Sequence, residues 1–469
     1  MNGRNYNEVM ARKNEIMKKA LGLDYEEFEG KGISFDYEGM MNKAGYSIEE
    51  VQKIQESTSV GNTPLLELKN LTRAARTLAG PGKGARIFLK DEASSPSGSF
   101  KARRASVSCH YAAEKGYPGV IAATSGNYGA AVASQANMRN LKSIIVQEVF
   151  DSRGFGQPEI LEKGRKCEAY GAEVMQLTVG PELFYLFLLT LEDTGFFNAS
   201  LYTPFGIAGI ETLGYELTEQ VRQRCDRDPD AVVVTHAGGG NLTGTARGMA
   251  KAGVKDARIV SASVDLSGLH MASDIDFNKK SFTTGHTGFG VPFATWPDRA
   301  DVPRNAARPL RYMERYVTVS QGEVFYVTEA LAQIEGLERG PAGNTSLTAA
   351  FAVAQEMNED EVVVVQETEY TGAGKHVTAQ LTFARENGIE IRRGDPADQV
   401  PGKNIIIPDK ASVIGIKEID SDKLRQSYIR NCVKNNGIKP SDISEEEILF
   451  LAEEVNRDVS FVRENLEKI

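Results

Sequence analysis

Four segments of the sequence carry residue types that could do chemistry, and the first contains a lysine. Lys101 ends the run SSPSGSFK and opens the predicted helix Lys101–Glu114. The positive end of a helix dipole disfavours a cation, so this position lowers the pKa of an amine. A lysine that forms a Schiff base must spend time neutral, which suits such a position. Taken alone, the simpler interpretation is an exposed lysine after a flexible loop.

The second segment follows a predicted strand and is rich in small polar residues. It runs through Thr124, Ser125, Gly126, Asn127 and Tyr128. Two hydroxyls, an amide and successive backbone N–H groups at a helix start form a ready site for a carboxylate. Threonine, serine and asparagine also cap helices, so an ordinary N-cap is a compatible interpretation.

Three consecutive glycines distinguish the third segment. Gly238, Gly239 and Gly240 follow an apolar strand and precede Asn241 and Thr243. Glycines let the backbone approach a ligand and point N–H groups at it, and a phosphate is the natural occupant. The spacing is neither the dinucleotide fingerprint nor a P-loop. A flexible turn is the alternative, although three glycines are costly to order.

The fourth segment, ETEYTGAGKH, follows another apolar strand. A hydroxyl here, from Thr368 or Thr371, could meet a ring nitrogen, whereas the carboxylate of Glu369 would hold that nitrogen protonated. A polar strand-to-helix turn is the alternative. Outside the four segments, Arg103 and Arg104 are expected to be solvated or ion-paired.

These segments fall between elements that the apolar pattern predicts. The predicted strands are Ile87–Leu89, Val120–Ala123, Ser143–Val146, Glu173–Leu177, Ala231–Thr235, Arg258–Ala262 and Glu361–Gln366. The predicted helices are Ile48–Glu56, Lys101–Glu114, Tyr128–Met138, Ile207–Arg224, Leu242–Ala252, Ser346–Met357, Glu445–Val455 and Val459–Ile469. Such alternation predicts an α/β fold of parallel strands, in which ligands bind beyond the carboxyl ends of the strands.

Composition excludes several classes of function. The 469 residues carry a net charge of −10 without a basic block, so nucleic acid is not expected as a partner. No apolar run approaches the length of a membrane span, and the N-terminus lacks the apolar core of a signal peptide. Four scattered cysteines and five histidines without metal-ligand spacing predict a cytoplasmic protein with no metal.

Taken in order, the four segments resemble those of fold type II pyridoxal-phosphate (PLP) enzymes, such as threonine synthase and the tryptophan synthase β chain. The run GNTPL at residues 61–65 and the run SFK at 99–101 are similar to that family's entry and cofactor-lysine motifs. The resemblance implies that Lys101 carries PLP and shuttles the Cα proton, and that the residues from Thr124 to Tyr128 bind the substrate carboxylate. It also implies that Asn127 contacts the 3′ oxygen of the cofactor.

The same resemblance implies roles for the third and fourth segments. The residues from Gly238 to Asn241, with Thr243, would cradle the phosphate, and Thr371 would face the pyridine nitrogen, with Thr368 and Glu369 as alternatives. It implies two α/β domains with the active site between them, a smaller one at about 100–205 and a larger one from 56–99 and 206–415. Helical extensions at 1–55 and 416–469 complete the predicted organisation.

Within this fold type, the sequence is similar to the larger, PLP-binding subunits of the 2-amino-4-ketopentanoate thiolase family, which belongs to ornithine degradation. That likeness implies cleavage of the substrate with coenzyme A to acetyl-CoA and alanine. It also implies a small companion subunit and a dimer of heterodimers. Whether the thiol attacks directly or through Cys109 stays open.

Two other functions fit the same residues. A threonine-synthase-like enzyme or an ammonia-lyase would need only Lys101 and a β leaving group, and would not use coenzyme A. A non-catalytic sensor of PLP or an amino acid is the second alternative. An intact Lys101 beside a complete carboxylate segment argues against the sensor.

Overall fold

The structure, a computed structural model, describes residues 4–43, 46–124, 126–151, 154–266, 281–283, 291–298, 301–370 and 373–469. The strands are β1 (Leu65–Glu67), β2 (Arg86–Asp91), β3 (Gly119–Thr124), β4 (Lys142–Phe150), β5 (Glu173–Thr178), β6 (Phe197–Asn198), β7 (Ala231–Thr235), β8 (Arg258–Val264), β9 (Arg315–Val319), β10 (Val362–Glu367), β11 (Glu390–Gly394), β12 (Asn404–Pro408) and β13 (Lys417–Ile419).

The α-helices of the described residues lie between these strands and at both ends of the chain. They are α1 (Tyr6–Ala11), α2 (Lys13–Leu21), α3 (Tyr37–Lys43), α4 (Ile48–Glu56), α5 (Lys69–Leu78), α6 (Lys101–Glu114), α7 (Asn127–Asn137), α8 (Pro158–Ala169), α9 (Glu182–Thr194), α10 (Pro204–Cys225), α11 (Gly240–Lys251), α12 (Val291–Thr295), α13 (Gln321–Ala330), α14 (Pro341–Glu356), α15 (Ala373–Glu386), α16 (Ser421–Asn436), α17 (Glu445–Val455) and α18 (Val459–Leu466).

The larger sheet has the strand order β1-β2-β10-β7-β8-β9-β13. Its neighbours from β2 to β9 pair in parallel, while β1 and β13 pair antiparallel at the two edges. The central strands are buried on both faces; in β10, for example, every residue is buried. Continuous runs such as Val362–Val365 are what a sheet covered by helices on both faces requires. The predicted parallel α/β fold is confirmed.

A smaller sheet has the order β5-β4-β3-β6, and its strands pair in parallel. Its strands come from residues 119–198, whereas those of the larger sheet come from 65–91 and 231–419. This division is compatible with the expected two domains, whose boundaries stay a prediction. A third, two-stranded sheet joins β11 to β12.

Both terminal extensions pack on the body of the protein. Apolar side chains of α2 and of α16–α18, among them Met17, Ile429 and Leu451, are buried in the same hydrophobic cluster as β3 and α10. The two extensions also meet each other, because the Ile33 N–H donates to Glu447 at 3.1 Å. In the described part of the chain, no helix has the length and apolarity needed to cross a membrane.

Candidate active site

Three of the four segments begin at adjacent strands of the larger sheet. The strands β2, β10 and β7 are neighbours, so the loops after Asp91, Glu367 and Thr235 leave the same edge. Two backbone hydrogen bonds join the first two of these loops: Phe100 N–H donates to the Thr368 carbonyl at 3.1 Å, and Tyr370 N–H donates to the Gly98 carbonyl at 2.8 Å. Topology therefore brings the lysine loop and the 368–370 segment together.

The second segment follows β3 of the smaller sheet, and its loop faces the same space as the other three loops. A cavity of about 540 Å³ lies between the loops. It is lined by residues of all four segments, namely Lys101, Thr124, Gly126, Tyr128, Gly238, Gly239, Gly240, Asn241, Thr368 and Glu369, and by residues outside them that include Arg104, Glu148, Lys163, Tyr202 and Asp301.

Lys101 opens α6 and is half-buried at the cavity wall. Burial lowers the pKa of Lys101 to about 8; Glu369 raises it, while Lys163 and Arg104 lower it. The helix dipole predicts the direction of this pKa shift, whereas loss of solvent is its largest cause. The ammonium therefore loses its proton far more readily than that of an ordinary lysine.

The triglycine loop is in close contact with three side chains. A Cβ on Gly238 would lie 1.8 Å from the Tyr202 hydroxyl, and one on Gly240 would lie 1.8 Å from Arg104 Nη2. A Cβ on Gly239, whose φ is +80°, would lie 2.7 Å from Pro309 Cγ. Gly239 is favoured by its left-handed φ as well as by the contact with Pro309, whereas a Cβ on Gly238 or Gly240 would displace the end of a neighbouring side chain. The loop opens α11, whose first N–H groups carry positive partial charge.

Asn241 and Thr243 lie on different sides of this loop. Asn241 lines the cavity, and both polar atoms of its buried side chain have no partner among the described residues. Thr243 is fully buried behind the loop, where its hydroxyl donates to the Gly239 carbonyl at 2.9 Å and accepts from Arg308 N–H at 3.0 Å. Thr243 therefore fixes the shape of the loop and does not line the cavity.

The second segment supplies a helix start and an unpaired amide. Thr124 Oγ1 accepts from Gly126 N–H at 3.0 Å, and the buried Asn127 Nδ2 has no partner among the described atoms. The Tyr128 hydroxyl donates to the Ala199 carbonyl at 2.6 Å, so the first polar groups of α7, not this hydroxyl, are free for a ligand. Ser125 lies outside the described residues.

Of the three candidates to face a ring nitrogen, Thr368 and Glu369 line the cavity and are buried. The carboxylate of Glu369 lies 3.9 Å from the ammonium of Lys163, which also pairs with Glu159. Thr371 lies outside the described residues. Both Thr368 and Glu369 therefore remain alternatives to it.

The two arginines after Lys101 differ sharply. Arg103 is buried and ion-paired with Glu92 at 2.8 Å and with Glu216 at 3.1 Å, as expected. The expectation for Arg104 is wrong: it is 3% exposed, and its Nε and Nη2 have no hydrogen-bond partner among the described residues. The sequence contained a signal for the position of Arg104 at the cavity: it comes three residues after Lys101, which places both side chains on one face of α6.

Sequence reasoning also missed Glu148, which lies near the carboxyl end of β4 and lines the cavity. Burial raises its pKa to about 7, and the Gly180 N–H, which donates to the carboxylate at 3.3 Å, lowers it. The rule that ligands bind beyond strand ends applies to this residue as well.

Cys109, by contrast, is fully buried, and burial raises the pKa of its thiol to about 12. It is not among the described residues that line the cavity.

These residues fit a ligand that is polar, anionic and bound to a lysine. Asn241 and Arg104 line the cavity, whereas Asn127 lies between the lining residues Gly126 and Tyr128 and is not itself among those described as lining it. All three have buried side-chain atoms without described partners, which is costly unless a ligand supplies them. The helix start at Gly240 offers an anion site, and the lysine pKa of about 8 suits a covalent bond to a carbonyl. No group of metal-ligating side chains occurs among the described residues.

The comparison with known families agrees with this geometry. The model of the family "Pyridoxal-phosphate dependent enzyme" matches residues 56–369. The chain belongs to this family, and its cofactor is pyridoxal phosphate.

Two relatives match nearly the full chain. A 2-amino-4-ketopentanoate thiolase beta subunit from an unknown prokaryotic organism is 69% identical over 457 residues, covering 97% of this chain and 96% of its own. The protein of the same description from Acetoanaerobium sticklandii is 64% identical over 464 residues, covering 99% and 98%. These relatives include both terminal extensions, which lie outside the family match.

Solved structures share the fold at lower identity. Maize serine racemase aligns with a TM-score of 0.51 and 22% identity, over 69% of this chain and 94% of its own. O-Ureido-L-serine synthase aligns with a TM-score of 0.52 and 18% identity, over 68% and 92%.

Proposed function

We propose that this chain is the PLP-binding subunit of a thiolase that cleaves 2-amino-4-ketopentanoate with coenzyme A, giving acetyl-CoA and alanine. The single observation that carries the chemistry is the cavity, in which a lysine of lowered pKa faces a triglycine helix start and an unpaired asparagine. The substrate comes from the two relatives above 60% identity, whose names specify it.

The residues divide into three groups around the cofactor. Lys101 holds it covalently, the loop from Gly238 to Asn241 binds its phosphate, and Asn127 contacts its ring. Thr124, Ser125 and the N–H groups at the start of α7 bind the substrate carboxylate. Thr371, or else Thr368 or Glu369, faces the ring nitrogen. Thr243 supports the phosphate loop from behind.

The protein's own groups then move protons and exclude water. When bound, the cofactor supplies the electron sink for the bonds at the substrate's α and β carbons. Lys101, once released, removes the proton from Cα, which its pKa of about 8 permits near neutral pH. The thiolytic step joins the coenzyme A sulfur to C4, breaks the C3–C4 bond and releases the thiol proton. A proton must then be added at C3, and Lys101 must return to Cα the proton that it removed. Glu148, with a pKa of about 7, is the described carboxyl of the cavity able to hold one.

A companion subunit is part of the proposal. The relatives are called beta subunits, which implies a partner, and the chain is expected to act with a small alpha subunit and coenzyme A in a dimer of heterodimers.

One assay tests the proposal. The purified chain, with and without the product of the neighbouring gene for a small subunit, is incubated with 2-amino-4-ketopentanoate and coenzyme A. We expect acetyl-CoA and alanine in equal amounts, formed with the partner and abolished by Lys101→Ala. Retained far-ultraviolet circular dichroism would show that the variant is folded.

The same preparations distinguish the alternatives. Release of ammonia and a keto acid from serine or threonine without coenzyme A would contradict the thiolase and favour a β-eliminating enzyme. Binding of PLP with no turnover of any amino acid, in the presence of every candidate partner, would favour a sensor.

A further inference from the structure

Arg104 is a buried, charged residue of the cavity wall that has no described ion-pair partner. It is 3% exposed, and its Nε and Nη2 atoms have no hydrogen-bond partner among the described residues. Its guanidinium carbon lies 5.9 Å from the centroid of the Phe100 ring, a contact that provides no hydrogen-bond acceptor for Nε or Nη2. A buried charge without a partner is strongly destabilising, so a partner is expected to arrive with a ligand.

The position of the guanidinium identifies the kind of ligand. Arg104 Nη2 lies so close to Gly240 that a Cβ there would approach it to 1.8 Å. Gly240 is the first residue of α11, a helix of 12 residues whose N-terminal N–H groups attract anions. Two independent sources of positive potential therefore converge on one point of the cavity wall.

The protein itself supplies no described anion at this point. Three acidic side chains line the cavity, and none of them makes a described hydrogen bond or ion pair with Arg104: Glu148 accepts from the Gly180 N–H, Glu369 lies beside Lys163, and Asp301 accepts from the Ser200 hydroxyl. Burial lowers the pKa of Arg104, and the ionisable groups that raise it are the phenols of Tyr202 and Tyr128. Its neighbour Arg103, in contrast, is fully paired within the protein by Glu92 and Glu216.

We propose that Arg104 binds the phosphate of the cofactor and holds it against the N-terminus of α11. The inference rests on the proposed function, in which the triglycine loop receives that phosphate. A phosphate monoester is dianionic near neutral pH and matches two converging positive groups, and a guanidinium binds it with two parallel N–H donors. A substrate carboxylate belongs instead at the start of α7, beside Gly126.

Pyridoxal, which has the same ring and aldehyde but no phosphate, makes the test specific. Apo-protein is titrated with PLP and with pyridoxal, for the wild type, Arg104→Met and Arg104→Lys. We expect Arg104→Met to weaken PLP binding by about 10- to 100-fold, as for the loss of a charge-assisted hydrogen bond, and pyridoxal binding by less than about threefold. Arg104→Lys, which keeps the charge, should recover part of the loss.

A second measurement separates binding from a structural role. Because Arg104→Met removes a buried unpaired charge, the apo variant should melt at the wild-type temperature or above, while PLP should raise its melting temperature less. Arg222→Met is the control, since Arg222 is a partly exposed arginine of α10 that is paired with Glu219 and Asp228. This control should bind PLP as the wild type does.

Three outcomes would overturn the inference. Equal losses of PLP and pyridoxal affinity, or a lower melting temperature of the apo variant, would mean that Arg104 only supports the fold. Unchanged PLP affinity with a raised KM for the amino acid would mean that it binds the substrate carboxylate. In each case a normal Lys101 adduct in the wild type would leave the proposed function intact, whereas its absence would contradict both.

Discussion

Lys101 and Glu148 are two groups of the cavity whose pKa values approach neutrality from opposite sides. Burial lowers the pKa of Lys101 to about 8 and raises that of Glu148 to about 7. A group exchanges protons most effectively when its pKa lies near the working pH. The same loss of solvent thus prepares a base and an acid at one cavity, and each shift can be measured.

The lowered pKa of Lys101 predicts that an amine reagent labels this lysine in the apo-protein at a lower pH than it labels an ordinary lysine. An amine reagent attacks the neutral form, so modification of Lys101 should be half-maximal near pH 8, about two units below an ordinary lysine. Peptide mass spectrometry across a pH series gives the profile. Lys18, whose pKa is raised by its hydrogen bond to Asp24, is an internal reference and should require a higher pH. Coincident profiles for the two lysines would contradict the shift.

The raised pKa of Glu148 predicts a dependence of stability on pH. The folded protein holds this proton more tightly than the unfolded chain, so the ionised carboxylate costs stability as pH rises from about 4.5 to about 7. Glu148→Gln removes that cost. The variant should therefore gain stability over the wild type through this range, by at most about 3 kcal/mol and by less because the carboxyl is only half-buried.

Urea unfolding at pH 5 and pH 8 measures this difference. Glu173→Gln is the charge-matched control, because Glu173 begins the adjacent strand β5 and is exposed. A stability difference between Glu148→Gln and the wild type that is the same at both pH values would contradict the shift.

At the scale of elements, the site follows from strand ends. The loops after β2, β10 and β7 meet because these strands are neighbours in the sheet, although they lie far apart in the sequence. The apolar pattern predicted α4, α6, α17 and β7 with the bounds they have, because these elements have a regular period and clear ends. Six strands were missed, namely β1, β6, β9, β11, β12 and β13; of these, β1 and β13 are short antiparallel edges of the larger sheet.

The parts of the site that could not be predicted depend on long-range packing. Four segments could be recognised because each contains a local signal, such as three glycines or a lysine after a serine-rich loop. The unpaired state of Arg104, the raised pKa of Glu148 and the ion pair between Lys163 and Glu369 depend on which distant groups surround each side chain. A sequence shows residue types and spacing, but not these neighbours.

The close approach of Gly239 to Pro309 predicts that a larger residue in the triglycine loop weakens PLP binding. Ala at position 239 would take a left-handed φ of +80° and would place a Cβ 2.7 Å from Pro309 Cγ. Because the ring of Pro309 cannot move away freely, the loop must shift. Gly239→Ala should therefore lose at least about tenfold in PLP affinity, in addition to about 1–2 kcal/mol of backbone strain. Spectral titration of the apo-protein with PLP measures the loss.

Gly253→Ala is the matched control for that variant. Gly253 follows α11 with a φ of +84°, and a Cβ there would meet nothing within 4 Å. Gly253→Ala should carry the same backbone strain, visible as a lower melting temperature, but should bind PLP normally. Equal losses of affinity in the two variants would mean that general strain, not the contact with Pro309, governs the loop.

For the whole molecule, charged side chains attach the extensions to the body. Glu38 of α3 pairs with Arg247 of α11 at 2.6 Å, and Arg304 donates to the Ile33 carbonyl at 3.0 Å. On the C-terminal side, Glu454 of α17 accepts from Arg311 at 2.7 Å and from the Tyr428 hydroxyl. Because Arg247 belongs to α11 and Arg311 lies in the 309–311 turn that packs against this helix, the extensions support the helix that begins at the triglycine loop.

Removal of one buried charge should therefore loosen the C-terminal extension. Glu454 is almost fully buried between Arg308 and Arg311, which hold the pKa of its carboxyl down although burial raises it. Glu454→Gln removes the buried counter-charge that the two arginines share and leaves Arg308 with Asp298 and Arg311 with the exposed Glu453. We expect it to lower the free energy of unfolding by about 3 kcal/mol. The adjacent Glu453 is the matched control: its side chain is 69% exposed and lies 3.5 Å from Arg311. Glu453→Gln should cost less than about 1 kcal/mol. Urea unfolding of the two variants compares them directly, and equal effects would mean that the extension is held by its apolar side chains alone.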